Sequence, residues 1–225
     1  YYDQFVDHYT IYDNYSDDRS EDIIHSHKNA EIKKFSMNGR IDDRIYQKIK
    51  NNCWKHSRGK ADYVVVCDID EFIYHPDLVS FLTAAKADHY SFFKTTGYHM
   101  YHPVYPTYDS GKFITDVVKL GVYDFYFNKR IIFDPHRIVE INYQVGAHKA
   151  RPVGIVKEKD SNGELKMLHY KNLSVEHLID RFARYRNRLS DINIENKWGE
   201  HYLQKEAQVR EAFAEGLASA RQVIP

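Results

Sequence analysis

Residues Tyr63-Val64-Val65-Val66-Cys67 form a continuous apolar run that leads into Asp68-Ile69-Asp70-Glu71-Phe72. An unbroken apolar run of this kind is typical of a central strand that is buried on both faces. The carboxylates of the acidic segment, residues 68–71, repel one another and are costly unless a cation or hydrogen-bond donors neutralise them. We therefore predict a buried strand followed by Asp68 and Asp70 on one side of the chain, as oxygen ligands for Mg2+ or Mn2+.

Strand-like and helix-like patterns alternate on both sides of this run. Strands are predicted at residues 6–12, 31–35 and 90–94, and helices from Ser20, over 41–55 and after Pro76. This order predicts an α/β fold, a single domain with a mixed, mainly parallel sheet flanked by helices. Ligands bind at the carboxyl ends of the strands in such sheets, and a second acidic cluster, residues 13–18, stands at one of these ends.

The second half of the chain is predicted to be less regular. Residues 97–130 are expected to form loops with short pieces of structure. Short strands are predicted at residues 131–133, 138–145, 153–156 and 165–170, with a hairpin turn at Asn162-Gly163 between the last two. A helix capped by Ser174 and a last helix over residues 202–221 give a helical C-terminus.

Composition excludes several classes of protein. The 225 residues carry 32 Lys plus Arg and 32 Asp plus Glu, and this zero balance argues against a nucleic-acid partner. Cys53 and Cys67 make no disulfide framework, which indicates the reducing cytoplasm. No apolar run is long enough to cross a bilayer, and the first residues do not resemble a signal peptide.

Three stretches resemble glycosyltransferases of the GT-A fold. Residues 66–72 resemble the DxDEF form of the DxD motif, and residues 13–20 resemble the DNxSxDxS turn that follows the second strand in glycosyltransferase family 2. Residues 168–176 are similar to the C-terminal HYxxxS-E segment of the same DxDEF subgroup. The motifs occur in the family's order and span most of the chain. The family has a further strand and helix before the counterpart of residues 6–12, so part of the base-binding pocket has no match.

The resemblance implies a single GT-A-like, Rossmann-like domain that transfers a sugar, with inversion, from a nucleotide-sugar donor to an acceptor hydroxyl. A UDP-sugar is the favoured donor, and a glycan or lipid-linked glycan is the acceptor. By analogy the setting is surface polysaccharide synthesis, of capsule or lipopolysaccharide, in the cytoplasm, with peripheral contact at the inner face of the membrane as an option. Residues 1–96 then form the donor and metal half, residues 97–173 the acceptor side, and residues 174–225 the C-terminal helices.

The resemblance also assigns roles to single residues. Asp68 and Asp70 match the aspartates that hold a divalent metal, Mn2+ or Mg2+, against the donor diphosphate. Asp13 matches the carboxylate that contacts the nucleotide base or ribose. His169 matches the late histidine that completes the metal site or contacts the phosphates.

Other site residues are assigned without a motif. His148 is a second candidate for the late histidine, although a histidine bonded at a strand end explains it equally well. Lys129 is a candidate for contact with the donor phosphates. For the catalytic base, Asp116 ranks first, with Asp109 and Asp124 as alternatives.

Two other functions remain open on the sequence. A phosphohydrolase of the haloacid dehalogenase type would use Asp68 as its nucleophile, but Phe72 and the preceding β-α-β unit do not fit its first motif. A non-catalytic nucleotide- or carbohydrate-binding module would keep the fold without turnover.

The arginines at 181, 184 and 188 are interpreted as a solvated helix face paired with acids, with a lipid-linked acceptor or a membrane surface as the alternative.

Overall fold

The computed structural model describes residues 1–109 and 111–225. The protein is a mixed α/β structure, as the sequence predicted. The α-helices of the described residues are α1 Ser20–His25, α2 Asp43–Asn52, α3 Leu78–Ala87, α4 Ile114–Val117, α5 Val175–Arg186, α6 Asp191–Glu195 and α7 Glu206–Ser219. Short 3-10 turns lie at Tyr2–Gln4, Lys55–Ser57, Phe125–Phe127, Val145–Ala147 and Glu200–Leu203.

The strands form several sheets. In chain order they are β1 Tyr9–Asp13, β2 Ala30–Lys34, β3 Val64–Val65, β4 Glu71–Tyr74, β5 Phe92–Lys94, β6 Thr96–Tyr101, β7 Leu120–Tyr123, β8 Ile132–Phe133, β9 Ile138–Glu140, β10 Val153–Gly154, β11 Glu158–Asp160, β12 Lys166–Asn172 and β13 Arg221–Gln222. A five-stranded sheet has the order β13-β7-β6-β12-β4, and a four-stranded sheet the order β11-β5-β8-β3. The pairs β1-β2 and β9-β10 stand as two-stranded sheets.

The prediction of mainly parallel pairing is wrong. Parallel pairing joins β1 to β2, β5 to β11 and β6 to β12, whereas the other pairs, including β4-β12, β6-β7 and β3-β8, are antiparallel. A parallel pair needs a long crossover, usually a helix. The pairs β4-β12 and β3-β8 instead join strands that are far apart in the chain, and the local order of strands and helices does not specify their direction.

The apolar run at residues 63–67 packs on both faces, as predicted, but only Val66 is fully buried, and the strand does not have the predicted central position. Its side chains alternate between two apolar cores, with Val64 and Val66 in one and Tyr63, Val65 and Cys67 in the other. Among the described residues, β3 itself pairs with β8 alone and lies at the edge of the four-stranded sheet. The continuous apolar run thus indicates that both faces of the strand are packed. An edge strand also has two packed faces when other elements cover it.

The predicted turn at Asn162-Gly163 is present, but no hairpin surrounds it. Both residues have positive φ, 48° and 92°, as such a turn requires. The flanking strands belong to different sheets, because β11 pairs with β5 and β12 with β4 and β6. Residues 97–130, predicted as loops with short pieces of structure, contribute most of β6 and all of β7 to the five-stranded sheet.

The C-terminal helices pack against each other beside the five-stranded sheet. Ser174 caps α5, as predicted, by accepting the His177 N–H at 3.2 Å. Leu178 and Phe182 of α5 pack with Val209 and Phe213 of α7. A strand absent from the prediction, β13, then returns to pair with β7.

The described residues contain neither a disulfide bond nor a helix that could span a membrane. Cys53 and Cys67 are free thiols, in agreement with the absence of a disulfide framework. Within residues 1–109 and 111–225, none of the helices has the length and apolar character that crossing a bilayer requires.

Candidate active site at the acidic segment

The acidic segment joins two strands of different sheets. β3 precedes it in the four-stranded sheet, and β4 begins with Glu71 in the five-stranded sheet. The Glu71 N–H donates to the Asp68 carbonyl at 3.0 Å, so the backbone turns here. This corrects the prediction that Asp68 and Asp70 point to one side, because such alternation holds only along an extended chain.

Asp70 is the more enclosed of the two aspartates, with its side chain 16% exposed. Arg181 of α5 donates from Nη1 to Asp70 Oδ2 at 2.8 Å, and His169 Nε2 of β12 lies 3.4 Å from the same oxygen. Burial opposes ionisation of Asp70, but His169 and Arg181 outweigh burial and hold its pKa well below the usual range. Asp70 is therefore a carboxylate at neutral pH.

Asp68 has a different partner and is 48% exposed. Lys50 Nζ, on α2, donates to Asp68 Oδ2 at 2.7 Å. Burial of Lys50 favours its neutral form, but the carboxylates of Asp68 and Glu71 outweigh burial and raise its pKa. The acidic segment is thus held between α2 on one side and β12 with α5 on the other.

Glu71 and Lys129 form an ion pair inside the protein. Their side chains are 2% and 3% exposed, and Lys129 Nζ donates to Glu71 Oε1. Burial raises the pKa of Glu71, but Lys129 and Lys50 outweigh burial and lower it. The prediction that Lys129 contacts donor phosphates is therefore corrected, because its ammonium is enclosed and already bound to Glu71.

A chain of hydrogen bonds leads from Asp70 across the five-stranded sheet. His169 Nδ1 lies 3.1 Å from His99 Nδ1 on β6, and His99 Nε2 lies 3.0 Å from Asp124 Oδ2. Burial, together with His169, lowers the pKa of His99 to about 4 against the opposing effect of Asp124, so His99 is neutral at pH 7. The His169 ring also stacks on Phe127, with centroids 4.6 Å apart.

This chain fixes the tautomer of His99 and the orientation of His169. A neutral His99 has one proton, and the carboxylate of Asp124 requires that proton on Nε2. His99 Nδ1 then accepts from His169 Nδ1–H, and this contact directs His169 Nε2 toward Asp70. The Asp124–His99 pair therefore prepares His169 to bind a cation or a proton beside a carboxylate.

The donor set fits a divalent cation in part. Ligands about 2.1 Å from a small divalent cation, at right angles to each other, stand about 3 Å apart, close to the spacing of Asp70 Oδ2 and His169 Nε2. Asp68 does not complete the set in this arrangement, because it is bound to Lys50. In the part of the chain that the structure describes, no group of three or more His, Cys, Asp or Glu side chains forms a ready metal cage.

Asp13 ends β1 in a turn of its own. Its carboxylate accepts from the Ser16 N–H at 3.1 Å and from Lys34 Nζ at 2.6 Å. Burial opposes its ionisation, but Lys34 and Ser16 outweigh burial and lower its pKa. Among the described residues no hydrogen bond or ion pair joins Asp13 to the acidic segment, so the structure does not bring these two motifs into direct contact.

The first-ranked base, Asp116, lies on the wrong side of the sheet for this site. It accepts the Phe113 N–H at 2.8 Å, at the start of α4, whose Ile114 packs in the same core as Tyr170. Neighbouring residues on a strand point to opposite faces, so His169 faces away from that core. Asp116 is therefore not placed to act as the base for a reaction beside His169, and this corrects its first rank.

Asp109 is also not joined to the His169 chain by any of the described hydrogen bonds or ion pairs. It accepts the Gly111 N–H at 3.0 Å and pairs with Lys112 at 3.3 Å in an exposed loop. It lines a separate cavity of about 310 Å³. Of the carboxylates weighed as the base, Asp124 is the one that the described contacts join to Asp70.

His148 lies beside the site and lines a cavity next to it. Its Nδ1 is 2.9 Å from the Tyr126 carbonyl, and its ring meets the edge of Phe127, with centroids 5.0 Å apart. Burial lowers the pKa of His148, and Lys129 adds to the effect.

The cavity, of about 420 Å³, is lined by His148, His99 and Lys171 among others. Burial of Lys171, with the charge of Arg181 nearby, lowers the Lys171 pKa to about 8.

Sequence reasoning missed Arg181, Lys50 and the pairing of His99 with Asp124. The row of arginines on α5 was interpreted as solvated, and this is confirmed for Arg184, which binds Asp180 at 2.9 Å. It is wrong for Arg181, which faces Asp70. The signal was available, because Arg181 is three residues after Leu178 and four before Tyr185, and this spacing places it beside the apolar stripe.

No protein-family model matches this chain, and no curated protein matches it.

Proposed function

We propose that this protein is a metal-dependent glycosyltransferase with a GT-A-like domain. It transfers a sugar from a nucleotide-sugar donor, a UDP-sugar in the favoured case, to a hydroxyl of a glycan or lipid-linked glycan acceptor, with inversion at the anomeric carbon. The observation that carries the proposal is the contact between Asp70 and His169. These residues belong to two motifs far apart in the sequence, and the structure holds their side chains 3.4 Å apart.

Asp70 and His169 would hold the divalent cation, and Asp68 would join them after exchanging Lys50 for the ion. Bound there, Mn2+ or Mg2+ offsets the negative charge that the departing nucleotide diphosphate gains. Asp124 and His99 act as positioning residues, because they keep the Nε2 lone pair of His169 directed at the ion site.

Arg181 and Lys50 supply further positive charge at the same place. Both bind carboxylates of the acidic segment, at 2.8 and 2.7 Å respectively. Once a cation neutralises those carboxylates, the guanidinium and the ammonium are free to bind phosphate oxygens. A guanidinium is suited to this because it presents two parallel donors.

The experiment that tests the proposal is a thermal-shift titration with UDP and GDP, each with and without Mn2+. A ligand that binds only the folded state raises the melting temperature by mass action. We expect a shift that requires both Mn2+ and the nucleotide and that is lost in Asp70→Ala and His169→Ala. The matched control is Asp88→Ala, an exposed aspartate at the end of α3, which should keep the shift. The absence of any nucleotide shift in the unmodified protein would refute the donor site.

The haloacid dehalogenase alternative makes a different prediction. Asp68 is half-exposed beside Lys50, as a nucleophilic carboxylate with an adjacent cation would be. Phosphate release from p-nitrophenyl phosphate that stops in Asp68→Asn would favour this reaction over sugar transfer.

A further inference from the structure

The cavity next to His169 has a composition that the metal site does not explain. It measures about 420 Å³ and lies between the five-stranded sheet and the helices α5 and α7. His99 and Phe127, which both contact His169, form its inner wall. Within residues 1–109 and 111–225, no carboxylate side chain lines it.

Lys171 is the one cationic side chain among the described lining residues, apart from histidines. Its Nζ lies 4.9 Å from the ring centroid of Phe182 and 5.4 Å from that of Tyr202. In the described part of the chain, it forms neither an ion pair nor a hydrogen bond. An ammonium that is largely removed from water is costly without an anionic partner, and cation–π contact replaces only part of that partner. The charge of Lys171 is therefore available to a ligand.

The mouth of the cavity carries exposed aromatic rings. Phe125 and Tyr126 are each 60% exposed, and their ring centroids lie 4.1 Å apart. Tyr126 also lines the cavity. Two exposed rings that lie against each other form an apolar surface, and their flat faces fit the C–H faces of sugar rings.

We propose that this cavity is the acceptor site and that it selects a glycan acceptor with an anionic group, a sugar carboxylate or a sugar phosphate, which Lys171 binds. The neighbouring sugar unit lies on Tyr126 and Phe125 at the mouth. The assignment of the cavity as an acceptor site rests on the proposed function, whereas the binding of an anionic sugar through Lys171 can be measured without any turnover.

Isothermal titration calorimetry at fixed ionic strength tests the inference with three probes. They are a hexuronate disaccharide, a hexose phosphate and the neutral disaccharide that matches the first probe in linkage. We expect at least one anionic probe to bind about tenfold or more tightly than the neutral one, the usual worth of a charge-assisted bond. The comparison of hexuronate with hexose phosphate identifies the anion.

Lys171→Met keeps the aliphatic chain over Phe182 and removes the charge. We expect it to abolish the preference for the anionic probe and to leave the Mn2+-dependent UDP shift in place. Lys48→Met is the matched control, because Lys48 is exposed on α2 and has no side-chain partner among the described residues. A third variant, Tyr126→Ala, should weaken neutral and anionic probes alike.

Several outcomes would overturn the inference. They are equal binding of neutral and anionic probes, a preference that survives in Lys171→Met, and binding of none of the probes at millimolar concentration. Loss of the UDP shift in Lys171→Met would instead place this lysine in the donor site and also refute the acceptor assignment. Anionic-sugar binding through Lys171 without any UDP shift would refute the transferase and keep the anion site.

Discussion

The acidic segment and the neighbouring cavity treat charge in opposite ways. In the acidic segment each carboxylate has its own cation, Lys50 for Asp68, Arg181 for Asp70 and Lys129 for Glu71. In the cavity, Lys171 forms no ion pair with a carboxylate among the described residues, and its ammonium lies over the rings of Phe182 and Tyr202. The first region is internally neutralised, and in the proposed function it would exchange its partners for a metal and a diphosphate, whereas the second leaves a charge for a ligand to neutralise.

The largest expected effect comes from breaking the most deeply buried pair. Lys129→Met leaves the Glu71 carboxylate enclosed without its cation, which typically costs about 3–5 kcal/mol of the free energy of unfolding. Urea denaturation measures it. The double variant Glu71→Leu, Lys129→Met should recover most of the loss, because no uncompensated charge remains. A cost below about 1 kcal/mol in Lys129→Met would mean that the pair is not enclosed as described.

An intermediate effect, on the affinity for the metal, is expected from a change at Asp124, the far end of the hydrogen-bond chain. Asp124→Asn removes the charge that holds the proton on His99 Nε2, so His169 loses its fixed orientation. Loss of such an outer partner typically weakens metal binding by about 10- to 100-fold. Electron paramagnetic resonance of free Mn2+ in the presence of UDP gives the affinity. Asp116→Asn is the matched control, since Asp116 lies across the sheet, and an equal loss in both variants would contradict the assigned chain.

The smallest effect is expected at the exposed end of the acidic segment. Lys50→Met removes the partner of a half-exposed Asp68, so the free energy of unfolding should change by no more than about 1 kcal/mol. Thermal and urea unfolding check this directly. If Lys50 competes with the ion for Asp68, the same variant should bind Mn2+ at least as tightly as the unmodified protein. Weaker Mn2+ binding would show that Lys50 supports the site rather than competing for it.

The sequence predicted local features that depend on neighbours along the chain. Ser174 caps α5, residues 20–25 are helical, and two acidic clusters follow strands, because capping, helical periodicity and turn chemistry act over a few residues. The edge position of β3 and the return of β13 to β7 depend on which strand happens to lie alongside. No periodicity in residues 63–67 or 221–222 carries that information.

The candidate site was predictable to the same extent. Asp70 and His169 were found through their motifs, and the structure places them together. Arg181 and Lys129 were misassigned, because a single sequence does not show which face of an element meets a buried carboxylate. The sequence also did not show that Asp124 contacts His99 whereas Asp116 lies across the sheet, since the side of the sheet decides which carboxylate joins the hydrogen-bond chain.

The most direct test of the central claim is a titration of Mn2+ in the presence of UDP, followed by electron paramagnetic resonance, on the unmodified protein, Asp70→Asn and His169→Gln. We predict one Mn2+ site per chain that requires UDP for tight binding and is lost in both variants, while circular dichroism shows that both remain folded. Unchanged Mn2+ binding in either variant would contradict the claim that Asp70 and His169 together form the donor metal site.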